Sequence, residues 1–372
     1  MIASVKSGLN KALLFSSLAL VAACGHAPAS SYQVAFATGE RAEGSGRYAE
    51  AAHDFDEAAR VAPNAREKSH AEVAAAQVLI RSGDKASGAA KLRAIANASP
   101  PSEHSGEAAY EIANLEISEN DANGYVDLEK SMTRFPNEGL AHRALERLAA
   151  HIDETSGVPA TIAWLEKIAP TFEQTELVQA VAYETAKRVE STGNLADARA
   201  RYVAIAARWP YPHGAYWDNS LFRASAIDEK NGHFDDAIGL LEEMLRQRET
   251  ASMLGSYERP MYEPAAWHIA EIYRDELHDS NKARAAFHRI YTEFTTSLKR
   301  DDALWEESKI SRKQNDASSS CATLSTLVNH FADSRYVSCA TAICSDISRP
   351  SKSKSPKECP NYIAKSFEMP LK

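Results

Sequence analysis

GRYAEAAHDFDEAARVAP, residues 46–63, is the stretch on which the fold turns. Ala51 and Ala58 lie two helical turns apart, so a second helix can approach closely along that line, and Phe55 fills the gap between the two contacts. Gly46 supplies a tight turn before the helix and Pro63 closes it. Gly39 stands seven residues before Gly46. The stretch therefore reads as the second half of a helical hairpin.

The pattern returns as Gly193, Leu195, Ala198, Tyr202, Ile205, Pro210 and again as Gly232, Phe234, Ala237, Leu241, Met244. Weaker copies are Gly83, Leu92, Ile95, Pro100, then Gly124, Leu128, Pro136, and Ala283, Phe287, Ile290; residues 157–170 and 317–331 fit only as hairpin halves. Turns near 46, 83, 119, 157, 193, 232, 278 and 316 stand 36 to 39 residues apart, with one interval of 46. From Ser31 to about Ile347 the chain is rich in Ala, Glu, Arg and Leu and has almost no strand-like alternation. The expectation is an all-α solenoid of about eight antiparallel helix pairs over residues 32–347. These motifs resemble the tetratricopeptide repeat. That resemblance implies a right-handed superhelix whose concave face binds proteins or peptides, and it specifies fold better than function.

The amino end reads differently. Lys6 and Lys11 precede an apolar run from Ala12 to Ala23, twelve residues that reach about 18 Å as a helix, short of a roughly 30 Å hydrocarbon core. It is an export signal over residues 1–23. The run ends Val21, Ala22, Ala23, Cys24, which resembles the lipobox of bacterial lipoproteins. The resemblance implies cleavage between Ala23 and Cys24 and acylation of Cys24, with several chains giving a stable anchor. Gly25 after the cysteine implies placement at the outer membrane, facing the periplasm, with residues 24–31 as a lipidated linker.

The formal charge of -9 becomes -11 once Lys6 and Lys11 leave with the signal, because residues 1–23 hold no acidic residue. An acidic chain gains little from phosphate neutralisation, so nucleic acid is not an expected partner. The remaining cysteines, Cys321, Cys339, Cys344 and Cys359, are even in number and gathered near the carboxyl end, which suits two disulfides in an oxidising compartment. If helices run over about 317–330 and 334–347, Cys321 and Cys344 are equidistant from the turn, and antiparallel neighbours meet at such positions. Cys321 to Cys344 is then the favoured bond, leaving Cys339 to hold Cys359 and a basic, proline-containing, irregular tail over 348–372.

No enzymatic constellation emerges. None of the twelve histidines lies three or four residues from another, and there is no Gly-x-Ser-x-Gly elbow, Walker loop or dinucleotide fingerprint. No cofactor, metal or small-molecule substrate is expected. Acid pairs such as Glu242 and Glu243 read as solvated faces. The surface candidates are aromatic: Trp209, Tyr211 and Tyr216 at one repeat junction, then Tyr257 and Tyr262 in the loop of the long interval. Such side chains combine apolar area with a hydrogen-bonding edge. Trp217 and Trp267, inside first helices, read as core.

The sequence thus points to a non-catalytic, membrane-anchored scaffold for protein partners. Its architecture is similar to the lipoprotein repeat subunit of the β-barrel assembly machinery, which implies a role in outer-membrane biogenesis. Two rival readings share the fold: a regulatory lipoprotein docking on peptidoglycan-synthesis or division proteins, and a glycan-binding or enzymatic envelope protein using the aromatic loops.

Overall fold

The computed structural model describes residues 30–247 and 259–367. Ala23, Cys24 and Tyr257 lie outside the described residues, as do the export signal and most of the linker. Contacts divide the chain into two compact units, Met1–Ala144 and Leu145–Lys372.

The first unit holds α1 (Ser31–Gly44), α2 (Tyr48–Val61), α3 (Ala65–Ser82), α4 (Lys85–Ala96), α5 (Ser105–Ser118) and α6 (Gly124–Arg134); the boundary falls within α7 (Gly139–Ser156). The second holds α8 (Val158–Ile168), α9 (Leu177–Ser191), α10 (Leu195–Arg208), α11 (Trp217–Lys230), α12 (Phe234–Leu245) and α13 (Tyr262–Glu271). It continues with α14 (Ser280–Glu293), α15 (Arg300–Lys313), α16 (Ala317–His330), α17 (Val337–Ile343) and α18 (Asn361–Ser366). There is no strand among the described residues, and none of their helices is long and apolar enough to cross a membrane.

Helices pair as consecutive hairpins, and each of the eight hairpin turns contains one residue in the left-handed region: Gly46, Gly83, Asn120, Gly157, Gly193, Gly232, His278 and Asn315. A residue with φ near +60° reverses the chain within two or three positions, a conformation that glycine adopts freely and asparagine tolerates. The turns fall within one residue of the positions read from the sequence. Five positions after six of these turns stand Ala51, Gly88, Ala198, Ala237, Ala283 and Ser320, all buried; after Asn120 and Gly157 the same position holds Tyr125 and Ile162. A Cβ on Gly88 would stand 2.7 Å from the Ala76 carbonyl oxygen, so backbone there meets backbone at the closest approach.

Four second helices also insert one large side chain opposite a small residue of the first. Phe55 faces Gly39, where an added Cβ would lie 2.8 Å from two ring carbons. Leu92 with Ala76, Tyr202 with Ala186, and Phe287 with Ala270 repeat the arrangement, every one of these side chains wholly buried. Ion pairs between neighbouring hairpins recur with the repeat period: Lys91 with Asp56, Lys85 with Glu119, Arg201 with Glu166 and Arg335 with Asp302, each 33 to 35 residues apart. Being exposed, each contributes little to stability, but together they favour one register.

The carboxyl end corrects two expectations. The helix expected over 334–347 is the seven-residue α17, which ends as Cys344 turns extended, because Ser345, Asp346 and Ser348 compete for backbone hydrogen bonds and Pro350 forbids helix beyond them. The tail is also ordered well beyond Cys359. The Arg349 guanidinium donates to the carbonyls of Ser353, Ser355 and Pro356, and the Ser353 hydroxyl donates to Ala332. The tail then forms α18, laying Ile363 and Phe367 against a cluster in which Trp305 stacks on Tyr336 at 4.6 Å and meets Phe367 at 4.8 Å. Bonds join Cys321 to Cys344, with Cα atoms 5.8 Å apart, and Cys339 to Cys359, 4.5 Å apart.

Truncating Phe55 tests the hairpin packing. Phe55→Ala leaves a void opposite Gly39 that no neighbouring side chain fills, and urea unfolding is expected to show a loss of about 3–5 kcal/mol.

Candidate functional site

The junction between α10 and α11 carries the aromatic residues singled out in the sequence. Trp209 ends α10, Tyr216 caps α11, and Trp217, the first residue of α11, is buried at 3% exposure. Between them the chain folds so tightly that a Cβ on Gly214 would overlap the Trp209 carbonyl oxygen. Only glycine fits that position.

Much of this cluster is occupied from within the chain. Arg259, from the long interval before α13, donates to the Gly214 carbonyl, the Asp218 carboxylate and the Pro212 carbonyl, each at 2.9 Å. Its guanidinium lies 5.4 Å from the Tyr211 ring centre and 5.9 Å from that of Trp217. Two rings, two carbonyls and a buried carboxylate thus form a seat for one guanidinium, which a planar five-donor group satisfies and an ammonium would not. The extra residues of the 46-residue interval therefore include an anchoring arginine, Arg259, that sequence reading missed. Its only sequence signal was the extra length.

The other candidates separate. Tyr262 is no loop residue: it begins α13 and is 1% exposed, its ring enclosed by the core around Ala265, Ile269 and Phe287. The apolar turn it starts explains this, because a first helix must bury its inward face from its first residue. Tyr211 is half-buried beneath Arg259. Tyr216 is half-buried and stacks on Tyr183 of α9 at 4.5 Å, burial pushing its hydroxyl pKa up. Trp267 is only partly buried, its indole N–H donating to Glu271 at 2.8 Å.

Trp209 remains open on one side. With Val178, Val181, Ala182 and Ile205 it lines a cavity of about 270 Å³ between α8, α9 and α10. Its rim holds two pairs that bridge neighbouring hairpins, Arg201 with Glu166 at 2.8 Å and Arg208 with Glu173. The Arg208 guanidinium lies 4.5 Å from the Trp209 ring centre. The cavity has room for one aliphatic or aromatic side chain, and its charged frame has hydrogen-bonding groups beside it.

A second set of polar contacts crosses the same unit. The Tyr202 and Arg223 side chains both donate to Glu190, at 2.7 and 2.8 Å, and Arg223 also donates to the Tyr183 hydroxyl. His268 of α13 lies 3.7 Å from Glu271 through Nδ1 and in direct contact with Glu229 of α11 through Nε2. Hydrogen bonding to Glu271 raises its pKa above 6.5, overcoming burial, and the Glu229 carboxylate adds to the rise. Among the described residues no group of three or more His, Cys, Asp or Glu is placed to hold a metal ion.

No protein-family model matches the sequence, and no curated protein matches it. Among solved structures, the C-terminal part of a TPR repeat-containing protein from Cytophaga hutchinsonii aligns with 72% of this chain and 99% of its own, at 13% identity and a TM-score of 0.41. A Podosopora anserina putative kinesin light chain with nearly identical TPR-like repeats aligns with 53% of this chain and 93% of its own, at 17% identity and a TM-score of 0.37. A tetratricopeptide repeat protein from Parabacteroides merdae covers 84% of this chain and 98% of its own, at 10% identity and a TM-score of 0.30. The chain is an all-α array of tetratricopeptide-like hairpins on the strength of its own geometry: eight turns, a buried small residue five positions after six of them, and large side chains seated opposite small ones.

Two measurements check the site. Arg259→Ala leaves Asp218 buried without its cation and is expected to cost about 3–5 kcal/mol in urea unfolding, most of it recovered when Asp218→Asn is added. For His268, a folded pKa above the unfolded value means that its contribution is whole below 6.5 and disappears as pH rises through the folded value. Stability followed from pH 6 to 9 is expected to decline, and the decline should flatten in His268→Gln.

Proposed function

We propose that this protein is a non-catalytic scaffold that binds protein partners, and that it works from the periplasmic side of the outer membrane, held there by acyl chains on Cys24. The observation that carries the binding reading is the slot beneath Trp209. It is apolar at its floor, open, and framed by ion pairs that tie its walls together, so it is ready to receive a side chain without rearrangement. The occupant is a peptide segment presenting one large apolar residue between polar neighbours, which Arg201, Glu166, Arg208 and Glu173 meet on both sides. Sites of this kind gain affinity from one central anchor and specificity from the charged rim.

The anchoring reading rests on the run that ends at Cys24, and the envelope role rests on it in turn. The partner we expect is a component of outer-membrane protein assembly.

Crosslinking in native membranes followed by affinity capture tests both parts. Assembly subunits are expected with the parent chain and a loss of at least tenfold in their recovery with Trp209→Ala, the fold being verified by circular dichroism. Recovery of peptidoglycan synthases or division proteins without any assembly subunit would sink the assembly role. Cys24→Ser is expected to abolish labelled-palmitate incorporation and to move the protein into the soluble fraction.

A further inference from the structure

Phe36, His70 and His104 stand 34 residues apart, on α1, on α3 and at the N-cap of α5, and their rings form one row. Phe36 stacks on His70 with ring centres 4.6 Å apart, and His70 stacks on His104 at 5.1 Å. At one end Phe36 leans on the buried Phe55 at 5.0 Å, which ties the row to the core of the first hairpin. At the other, His104 Nδ1 lies 2.9 Å from the Glu107 carboxylate. The row crosses three successive hairpins within the first unit, alongside the core of Val73, Leu92, Ile95 and Ile112, the buried Ser105 hydroxyl donating to the Ile95 carbonyl, and ion pairs such as Lys91 with Asp56.

The two imidazoles are not equivalent. A proton added to His104 leaves an imidazolium already in contact with a carboxylate, and the Glu138 side chain, which accepts from the Gly106 and Glu107 N–H groups, also faces it. His70 has no carboxylate in contact. Its Nδ1 faces the Tyr32 hydroxyl at 3.3 Å, one face is covered by Phe36 and the other by His104. Burial, then the charge of His104, disfavour a proton on His70; the carboxylates of Glu107 of α5 and Glu40 of α1 act the other way, and Arg66 on its own helix adds a smaller push against the proton. Its folded pKa therefore lies below the usual 6.5. The sign follows from proton linkage: the unfolded chain binds the proton more readily, so the contribution of the row is whole above 6.5 and is lost as pH falls below it.

We propose that this row is an acid-sensitive latch, which holds the first three hairpins in register while His70 is neutral and releases them when His70 takes up a proton beside His104. Two stacked imidazolium rings would repel across their faces, and the stack is what joins α1, α3 and α5 along that line. The device belongs to the first unit alone, whose response to acid is opposite to that set by His268 in the second.

Hydrogen exchange of the full chain at pH 7.5 and 5.5, corrected for the intrinsic rate, tests the latch. Amides of α1, α3 and α5 are expected to lose protection several-fold at pH 5.5. His70→Phe keeps a ring on Phe36 and removes the proton site, so it should hold its protection at both values. Equal loss in parent and variant, or none in the parent, overturns the proposal. Should His70→Phe fail to fold, the NMR titration of His70 decides. A midpoint below 6.5 that rises in His104→Gln supports the latch, and a midpoint at or above 6.5 in the parent overturns it.

Discussion

The fold of this chain depends on two helices approaching closely, five residues after six of its eight turns. Ala51, Gly88, Ala198, Ala237, Ala283 and Ser320 make that possible, and each is buried. Close approach brings the second helix's large residue, Phe55 or Tyr202 or Phe287, against a glycine or alanine of the first. A larger residue at any small position would push the pair apart and misplace the next hairpin, since each hairpin is the packing surface of its neighbour. The left-handed turn residue fixes where the return helix starts, so turn and contact are one constraint expressed twice.

This is why the fold was legible in the sequence. Turn and small residue are local signals at fixed spacing, and even where glycine is replaced, at Asn120, His278 and Asn315, the period locates the turn. The pairing of Cys321 with Cys344 could be argued in advance because antiparallel helices place mirrored positions together. Less legible was whatever depends on side chains meeting across hairpins. Tyr262 was read as a loop residue because Pro260 and Pro264 bracket it, yet proline is tolerated in the first turn of a helix, and α13 begins at Tyr262. Arg259 could not be found, because an arginine in a loop looks solvated until the buried Asp218 it reaches is known. The row through Phe36, His70 and His104 did carry a signal, its 34-residue spacing, but ring type changes along it and a search for repeated identity passes over it.

The departures from the period are themselves informative. A regular array needs no straps, and the two largest departures here are the 46-residue interval and the tail. The first returns Arg259 to the α10–α11 junction. The second folds Ile363 and Phe367 over the hairpin of α15 and α16, where they help bury Trp305. Each departure covers an apolar surface that the repeat leaves open.

That reasoning narrows where a partner can act in the second unit. Tyr211, Trp217 and Tyr262, which share the aromatic character of a binding surface, are already covered by Arg259 or by core. Trp209 differs because Arg259 donates to Pro212, Gly214 and Asp218, and the pairs beside the indole, Arg201 with Glu166 and Arg208 with Glu173, line the same cavity. An indole half-exposed beside valine and alanine and covered on one face by Arg208 gains by excluding more water, which is the contribution the proposed partner side chain would make. The slot is thus the part of the junction that the fold leaves unfilled.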